Sequence, residues 1–284
     1  MDILYTINLT IYAFLVGSLL LGLHRKILAK IQLRPGPPII QYLIHTLKFY
    51  FKEITIPITA ATLLYLFVVF LDVMVWLSAL ILAVELKSSL LILIGLYVLQ
   101  KIVEHGCGLS SGSPYGKLGG VRSVFSAAAE IPLFSVVAIV YILTNSVIIS
   151  DIINYQQIYG PLILKLPIAA FAFFILLVSK APNSPFRIVK GKDIVSGYMT
   201  EHFGLLASLI YIADAIAYFV LLWIFIAVFL GIGNIFLALP IMVVLTIIIA
   251  IINGLTPLLA PHHSVMLQIT IALIVLLDLL YRVI

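Results

Sequence analysis

Eight long apolar stretches dominate this sequence and limit what it can fold into. Each has roughly the 20 residues that a helix needs to cross a hydrocarbon core of about 30 Å. Apolar residues make up 64% of the 284 residues and charged residues 10%, whereas a soluble domain has about 45–50% and about 25%. The sequence therefore predicts an all-α membrane protein with eight transmembrane helices in a single domain, 1–284. The stretches are about 3–23, 56–77, 79–103, 120–149, 161–180, 204–231, 235–253 and 265–283.

Lysine and arginine are distributed unevenly between the two sides of this predicted topology. With the N-terminus outside, the inner loops are 24–55, 104–119 and 181–203. All the basic residues except Lys87, Lys165 and Arg282 lie in these loops or in the helix ends beside them. Inner loops of membrane proteins carry such an excess of Lys and Arg. The distribution favours a multi-pass protein of the cell membrane with an outside N-terminus, and it supports the count of eight spans.

The segment at about 39–53 has the pattern of an amphipathic helix rather than of a span. Its polar residues recur at helical steps of four, three and four: Gln41, His45, Lys48 and Lys52. The opposite face is apolar: Ile40, Leu43, Ile44, Leu47 and Phe51. We expect this helix to lie on the inner leaflet through its apolar face. Alternatively, it forms the mouth of a cavity that is entered from the membrane.

Four acidic residues fall within predicted spans or at their inner ends: Glu130 and Asp214 near the middle, Glu104 at the end of the third and Glu201 one turn before the sixth. Because an acidic residue at the centre of a bilayer costs about 2.5–3.5 kcal/mol on insertion scales, each needs a partner or a function. We interpret the four as a hydrated path for H⁺ or Na⁺. The alternative is that each pairs with a basic residue of another helix. Pro132, just after Glu130, lacks a backbone donor and should kink that span.

Other polar residues are predicted to be ordinary. Four acids should lie near the outer surface as interfacial charges: Asp72, Glu85, Asp151 and Asp278. Cys107 is the single cysteine, so it cannot hold an iron–sulfur cluster or a zinc ion with other thiolates of this chain. His262 and His263 fall in a predicted inner loop without a third metal ligand. We predict neither a catalytic residue nor a metal site in this chain.

Three inner segments of the sequence occur together in one known family. They are 24–53, which contains RPGPPIIQ; 111–132, with SGSPYG, GGVR and AEIP; and 184–204, with SGYMTEHFG. In this order they resemble subunit 1 of respiratory complex I over nearly the whole chain, and eight spans is also that family's count. RPGPPIIQ is more similar to the membrane anchor of energy-converting, membrane-bound nickel–iron hydrogenases than to the RRGPN of quinone-reducing enzymes.

The resemblance implies a non-catalytic anchor and coupling subunit without a cofactor of its own. Hydrogenase-like large and small subunits, which would hold the iron–sulfur clusters and the nickel–iron centre, should dock on its inner face. Antiporter-like membrane subunits should receive the redox energy and move H⁺ or Na⁺. The docking face expected from the basic residues comprises Arg25, Lys26, Arg34, Lys117, Arg187, Lys190 and Lys192.

The sequence also departs from the family pattern. The acid-rich inner loop of the family is replaced by 187–194, which has one acid and three basic residues. His45 stands where the family usually has Asp, and Asp214 where it usually has Glu. We therefore expect the ion path to depend on the deeper carboxylates, with Arg122, His45 and Glu53 as supporting charges.

The sequence leaves two principal functions open. The first is the coupling and anchor subunit of an ion-translocating hydrogenase, linked to ferredoxin or formate. The second is the quinone-site subunit of a complex I-like NADH or ferredoxin dehydrogenase, with the quinone between the amphipathic helix and the spans. A stand-alone secondary transporter is disfavoured, because such proteins are commonly built from internal repeats and none is visible here.

The topology can be tested by labelling introduced cysteines in sealed vesicles with a membrane-impermeant reagent. A cysteine near Ser150 should react from the outer side, whereas one in the loop 181–203 should react only after the vesicles are opened. The reason is the concentration of Lys and Arg in the predicted inner loops. Labelling of the 181–203 loop from outside would reverse the predicted orientation.

Overall fold

The computed structural model describes residues 3–283, and helices account for nearly all of the regular structure in that range. In the absence of water, a helix satisfies its backbone donors and acceptors within its own segment, which explains this choice for so apolar a chain. Within the described range the sole β-pairing is an isolated bridge between Ser89 and Ile148. The all-α membrane fold is therefore confirmed.

Twelve α-helices are present in the described range. They are α1 (Ile3–Ile31), α2 (Gln41–Tyr50), α3 (Thr62–Leu80), α4 (Leu90–Ser110), α5 (Pro114–Glu130), α6 (Val136–Thr144), α7 (Ile149–Tyr159), α8 (Leu162–Lys165), α9 (Pro167–Lys180), α10 (Leu205–Leu230), α11 (Ile235–Leu255) and α12 (Pro261–Val283). A π-helical turn, Ile81–Glu85, extends α3, and a 3₁₀ segment, Ile131–Ser135, joins α5 to α6.

Seven helical segments of the described range are long and apolar enough to cross a membrane: Ile3–Ile31, Thr62–Glu85, Leu90–Ser110, Pro114–Thr144, Leu205–Leu230, Ile235–Leu255 and Pro261–Val283. These match seven of the predicted stretches. The stretch 161–180 is divided between α8 and α9, and α9 has 14 residues, about 21 Å at 1.5 Å per residue. Eight crossings therefore remain a prediction.

Two predicted boundaries are wrong. The boundary expected between the stretches 56–77 and 79–103 lies within a continuous helix, which instead ends after the π-helical turn Ile81–Glu85. The expected inner loop 104–119 is mostly helical, because α4 runs to Ser110 and α5 begins at Pro114. Hydropathy failed at the second place because polar residues there, such as Glu104 and Ser110, are buried within the protein.

Local signals in the sequence explain several helix ends. Ser113 caps α5 by accepting a hydrogen bond from the Gly116 amide, with Pro114 at the first helical position. The predicted irregularity at Pro132 is confirmed as the 3₁₀ segment that begins at Ile131. His262 and His263, expected in a loop, lie in the first turn of α12.

The amphipathic segment predicted at 39–53 is observed as the shorter helix α2. Its Ile44 and Leu47 side chains are exposed, as expected of a surface that meets lipid. A different side of α2 packs on α10, where Tyr42 donates to the Tyr211 carbonyl (3.2 Å) and Ser208 donates to the Thr46 carbonyl (3.0 Å). Its place on the inner leaflet stays a prediction.

Helix α10 forms the centre of the bundle, and 20 of its 26 residues are buried. The backbone of α1 approaches it closely at Gly17, where a Cβ atom would overlap the carbonyl group of Ala215. Small residues permit such contacts between membrane helices and are enriched at their interfaces. The contact fixes α1 against the helix that carries Asp214.

We therefore predict that Gly17→Val destabilises the purified protein by about 1–3 kcal/mol, the usual cost of overpacking. The matched control is Gly95→Ala on α4, because nothing lies within 4 Å of a Cβ added at Gly95. Thermal unfolding in detergent measures both. Equal melting temperatures for Gly17→Val and the wild type would contradict the packing argument.

A buried charge network as the candidate functional site

The candidate site is built around an ammonium group buried between two helices. Lys101 on α4 and Glu130 at the end of α5 are 4% and 2% exposed, and their Nζ and Oε2 atoms lie 2.6 Å apart. Glu104, one turn along α4, is 6% exposed and places a carboxylate oxygen 3.5 Å from the same Nζ. Both carboxylates therefore share one cation, away from water.

Hydroxyl groups complete the surroundings of Glu130. Ser126, one turn earlier on α5, donates to it (2.9 Å) and accepts from Lys101 (2.8 Å). Tyr97, one turn before Lys101, also donates to Glu130. A buried carboxylate is tolerated when its oxygens accept such hydrogen bonds. Glu130 is therefore held by an ion pair and two hydroxyl donors.

A tyrosine connects this pair to a second group of charges. Tyr198, in the loop between α9 and α10, donates to Glu104 (3.3 Å), and the Lys190 ammonium lies 5.2 Å from its ring centroid. Burial, reinforced by the charge of Glu104, raises the pKa of Tyr198 well above its usual range. Its hydroxyl therefore keeps the proton that it donates.

The second group surrounds Asp214 on α10. Lys190 donates to both Asp214 oxygens at 2.9 Å, and the Arg187 guanidinium lies 4.0 Å from one of them. We call the connected set the charge network; its members are Glu130, Lys101, Glu104, Tyr198, Lys190, Asp214 and Arg187. Positive and negative groups alternate along it, from the end of α5 to the loop between α9 and α10.

Two adjoining cavities follow the charge network. The first, of about 50 Å³, is lined by Lys101, Glu104 and Glu130 at one end and by Lys190 and Asp214 at the other. It is large enough for a short row of water molecules, because one water molecule needs a cavity volume of roughly 10–15 Å³.

The second cavity is much larger, about 630 Å³, and we call it the basic cavity. It lies among the ends of α1 and α11, the residues around Tyr42 and the loop 181–204. Its wall includes four residues that also line the smaller cavity: Lys180, Arg187, Lys190 and Asp214. The charge network thus extends to the wall of a wide cavity.

The structure unites three of the four carboxylates that the sequence singled out. Glu104, Glu130 and Asp214 line one cavity, whereas Glu201 does not. Glu201 instead accepts a hydrogen bond from the Ser113 hydroxyl, and its backbone carbonyl accepts one from Tyr65 (2.6 Å). Its place in a shared path remains a proposal.

The supporting charges are not where we expected them. Arg122 does not neutralise Glu130; it pairs with Asp193 at 2.6 Å in the loop, and Lys101 takes the place beside Glu130. Burial and the charges of Arg25, Lys48 and Lys52 lower the pKa of His45, so its ring is neutral at pH 7 and meets the Tyr211 hydroxyl (3.3 Å). Glu53 is exposed, without an ion pair among residues 3–283.

The expected docking face is partly exposed and partly internal. Arg25, Arg34, Lys117 and Lys192 are exposed, and Lys26 is half-buried. Lys190 and Arg187 instead point into the protein, where they hold Asp214. The Lys190 side chain is only 7% exposed, which removes it as a surface contact.

Sequence reasoning missed several residues of the site. Lys101 and Lys180 were counted as inner-face charges, yet both lie among the buried carboxylates, and Lys180 donates to Gln100 at 2.9 Å. Asp72, predicted near the outer surface, is 5% exposed on α3, and its Oδ1 has no hydrogen-bond partner in the described part of the chain. The spacing of three between Lys101 and Glu104 was a usable signal, because it places both on one helix face.

Comparison with known proteins agrees with this architecture. The family model for NADH dehydrogenase matches residues 4–282. A Methanocaldococcus jannaschii protein that carries the name NADH-ubiquinone oxidoreductase is 75% identical over 281 residues, covering 98% of this chain and 95% of that protein. The chain therefore belongs to the NADH dehydrogenase family that contains subunit 1 of complex I.

More distant relatives include subunits of quinone-linked enzymes. The corresponding membrane subunit of NADH-quinone oxidoreductase from Carboxydothermus hydrogenoformans is 28% identical over 228 residues, which cover 75% of this chain and 65% of that subunit. Its counterpart from Dehalococcoides mccartyi is 26% identical over 222 residues, covering 72% and 62%. Both alignments thus span less than two thirds of the bacterial subunit.

A solved structure shows the same fold over the full length. A chain of the membrane-bound sulfane sulfur reductase, an archaeal respiratory membrane complex, superposes with a TM-score of 0.83. The two sequences are 26% identical, and the match covers 97% of this chain and 98% of that one. The present protein is therefore a multi-pass membrane protein that resembles subunit 1 of complex I.

Removing the shared cation tests the charge network directly. We predict that Lys101→Met destabilises the protein by about 3–5 kcal/mol, because two carboxylates would stay buried without their counterion. Adding Glu130→Gln to that variant should restore part of the loss. Thermal unfolding in detergent is the measurement.

Lys117→Met is the matched control, since Lys117 is exposed and forms no ion pair in the described range. It should change stability by no more than about 0.5 kcal/mol. Equal melting temperatures for the Lys101→Met and Lys117→Met variants would show that the buried ion pair does not stabilise the protein.

Proposed function

We propose that this chain is the membrane anchor and proton-coupling subunit of a hydrogenase-type respiratory membrane complex. Its relatives and its fold support membership of a multi-subunit redox complex. The hydrogenase assignment rests on the RPGPPIIQ segment and on the basic docking face. The charge network carries the coupling role, because it joins buried carboxylates to the cavity beside that face.

The network offers a physical mechanism for coupling. Each carboxylate of the network lies beside a cation or a hydroxyl group. Because the region is buried and weakly screened, a change of charge near Asp214 alters the electric field at Glu104 and Glu130. A redox reaction above the loop 181–204 would thereby change how tightly the carboxylates hold protons. Protons then move between them through hydroxyl groups and water.

We propose H⁺ rather than Na⁺ as the ion that moves within this subunit. Ammonium and phenol groups lie between the carboxylates, at Lys101 and Tyr198. A fixed ammonium group repels a metal cation, whereas a proton can pass between the carboxylates along hydrogen bonds to water in the smaller cavity. Partner antiporter-like subunits set the ion that finally crosses the membrane.

The second candidate function, a quinone site, is favoured by one observation. The basic cavity, about 630 Å³, falls within the roughly 300–1,000 Å³ typical of ligand sites, and it adjoins α2. Its lining argues against a neutral quinone, because six cations face it and one carboxylate is present among the described lining residues. We therefore retain coupling without a quinone as the main proposal.

The first test measures coupling in the intact complex within sealed vesicles. Glu130→Gln keeps shape and hydrogen bonding but removes a titrating group. The complex should assemble and catalyse its redox reaction, while proton uptake per electron pair falls at least tenfold. Unchanged uptake in Glu130→Gln and Asp214→Asn would remove the network from the proton path.

Two further variants sharpen this result. Asp151→Asn is the control, because Asp151 is an exposed carboxylate outside both cavities and should leave uptake unchanged. The Glu201→Gln variant shows where protons enter the charge network. Retained proton uptake would place this entrance at the wall that contains Arg187, Lys190 and Asp214. Lost uptake would assign it to the region beneath α2.

The partner assignment is tested by metal analysis of the complex purified through a tag on this chain. We expect nickel together with iron, and no quinone-dependent activity. A nickel-free complex that reduces a quinone would replace the proposed function with the quinone-site alternative.

A further inference from the structure

The basic cavity contains more positive charge than its own wall balances. Six cationic residues line it: Arg25, Arg34, Lys180, Arg187, Lys190 and Lys192. Asp214 is the one carboxylate among the described lining residues, and it is already bound by Lys190 and Arg187. The excess charge calls for an anion.

Three of these cations have no partner within residues 3–283. Arg25, Arg34 and Lys192 form neither an ion pair nor a side-chain hydrogen bond there. They come from separate elements: the end of α1, the segment that follows it and the loop 181–204.

The rest of the wall mixes polar and apolar side chains, and the polar ones include Gln32, Asn183, Ser184 and Thr200. Leu21 and Leu28 of α1 and Leu258 after α11 face the cavity, together with Met199. A cavity that combines clustered cations with aliphatic side chains suits an amphiphile with an anionic end. A small hydrated anion would use only part of it.

We propose that the basic cavity binds the phosphate group of a phosphate-bearing ligand, with a phospholipid headgroup as the favoured source. Guanidinium groups present fixed pairs of donors that match phosphate oxygens. Basic pockets between transmembrane helices on the cytoplasmic side bind phospholipid headgroups by this chemistry. The apolar part of the wall, which includes Leu21, Leu28, Leu258 and Met199, favours a lipid over free phosphate.

Arg25, Arg34 and Lys192 are also members of the proposed docking face, so the phosphate site is tested on the isolated chain, where no partner subunit competes for these cations. A phosphate group bound by Arg25, Arg34 and Lys192 would link three segments whose cations have no ion pair within residues 3–283. It would also place a negative charge near Lys190 and Asp214, on the wall that both cavities share.

The test uses the full chain purified in a phosphorus-free detergent. Phosphatidylglycerol in phosphatidylcholine carrier is titrated, and the bound lipid is counted by native mass spectrometry. The cavity variant is Arg25→Gln, Arg34→Gln and Lys192→Gln together. The control, Lys30→Gln, Lys48→Gln and Lys117→Gln, removes the same charge from exposed positions outside the cavity.

We expect the wild type and the control to retain phosphatidylglycerol and the cavity variant to lose at least tenfold in affinity. Calorimetric titration with inorganic phosphate and pyrophosphate distinguishes a lipid headgroup from a soluble phosphate as the ligand. Tight binding of these two anions together with weak retention of the lipid would assign the site to a soluble phosphate. Lys192→Glu alone, at an exposed position, provides the same comparison if the triple variant fails to fold.

Equal lipid and phosphate binding by the cavity variant and the control would overturn the proposal. The proposal would also be overturned if the wild type bound none of the three probes, which are phosphatidylglycerol, inorganic phosphate and pyrophosphate. Binding of a polyglutamate peptide in their place would reassign the cavity to an acidic segment of a partner protein.

Discussion

The contact between Lys101 and the carboxylates of Glu104 and Glu130 is the interaction on which the site depends. Removing these charges from water costs several kcal/mol per ion, and their attraction offsets that cost only in close geometry. The geometry in turn requires α4 and α5 to lie backbone to backbone. They do so at Gly108, where a Cβ atom would overlap Gly120.

The loop between α9 and α10 connects this group of charges to the basic cavity. Val195, Ser196 and Gly197 all have positive φ angles, 54°, 64° and 56°. For Val195 and Ser196 this left-handed conformation costs of order 1–3 kcal/mol each. It places Tyr198 against Glu104 and leaves Lys190 beside Asp214. The strained backbone therefore lies where the loop meets the charges of the membrane helices.

The sequence predicted the fold class and most of the spans, because lipid exposure imposes apolarity over about 20 residues at a time. It failed where polar residues are covered by protein. We expected Asp72 near the outer surface and Lys101 at a helix end beside an inner loop, yet both are buried inside the bundle. The carboxylates of the site were identifiable because an acid inside a span is rare. Their partners were not, since Lys180 and Tyr198 reach them only through tertiary packing.

The same limit applies to Arg122. We expected it to support the deeper carboxylates, but its guanidinium instead pairs with Asp193 of the loop. A pairing between helix and loop carries no periodic signal in sequence. The basic cavity is a similar case, because Arg25, Arg34 and Lys192 come from separate segments that only the folded chain brings together.

The most direct measurement of the central claim is infrared difference spectroscopy of the intact complex, recorded between oxidised and reduced states of the attached redox centre. If the charge network couples to that centre, reduction changes a protonated-carboxyl C=O band. The band is lost in Glu130→Gln or Asp214→Asn and retained in Asp151→Asn. Spectra without a carboxyl change, or with one that persists in both network variants, would contradict the account.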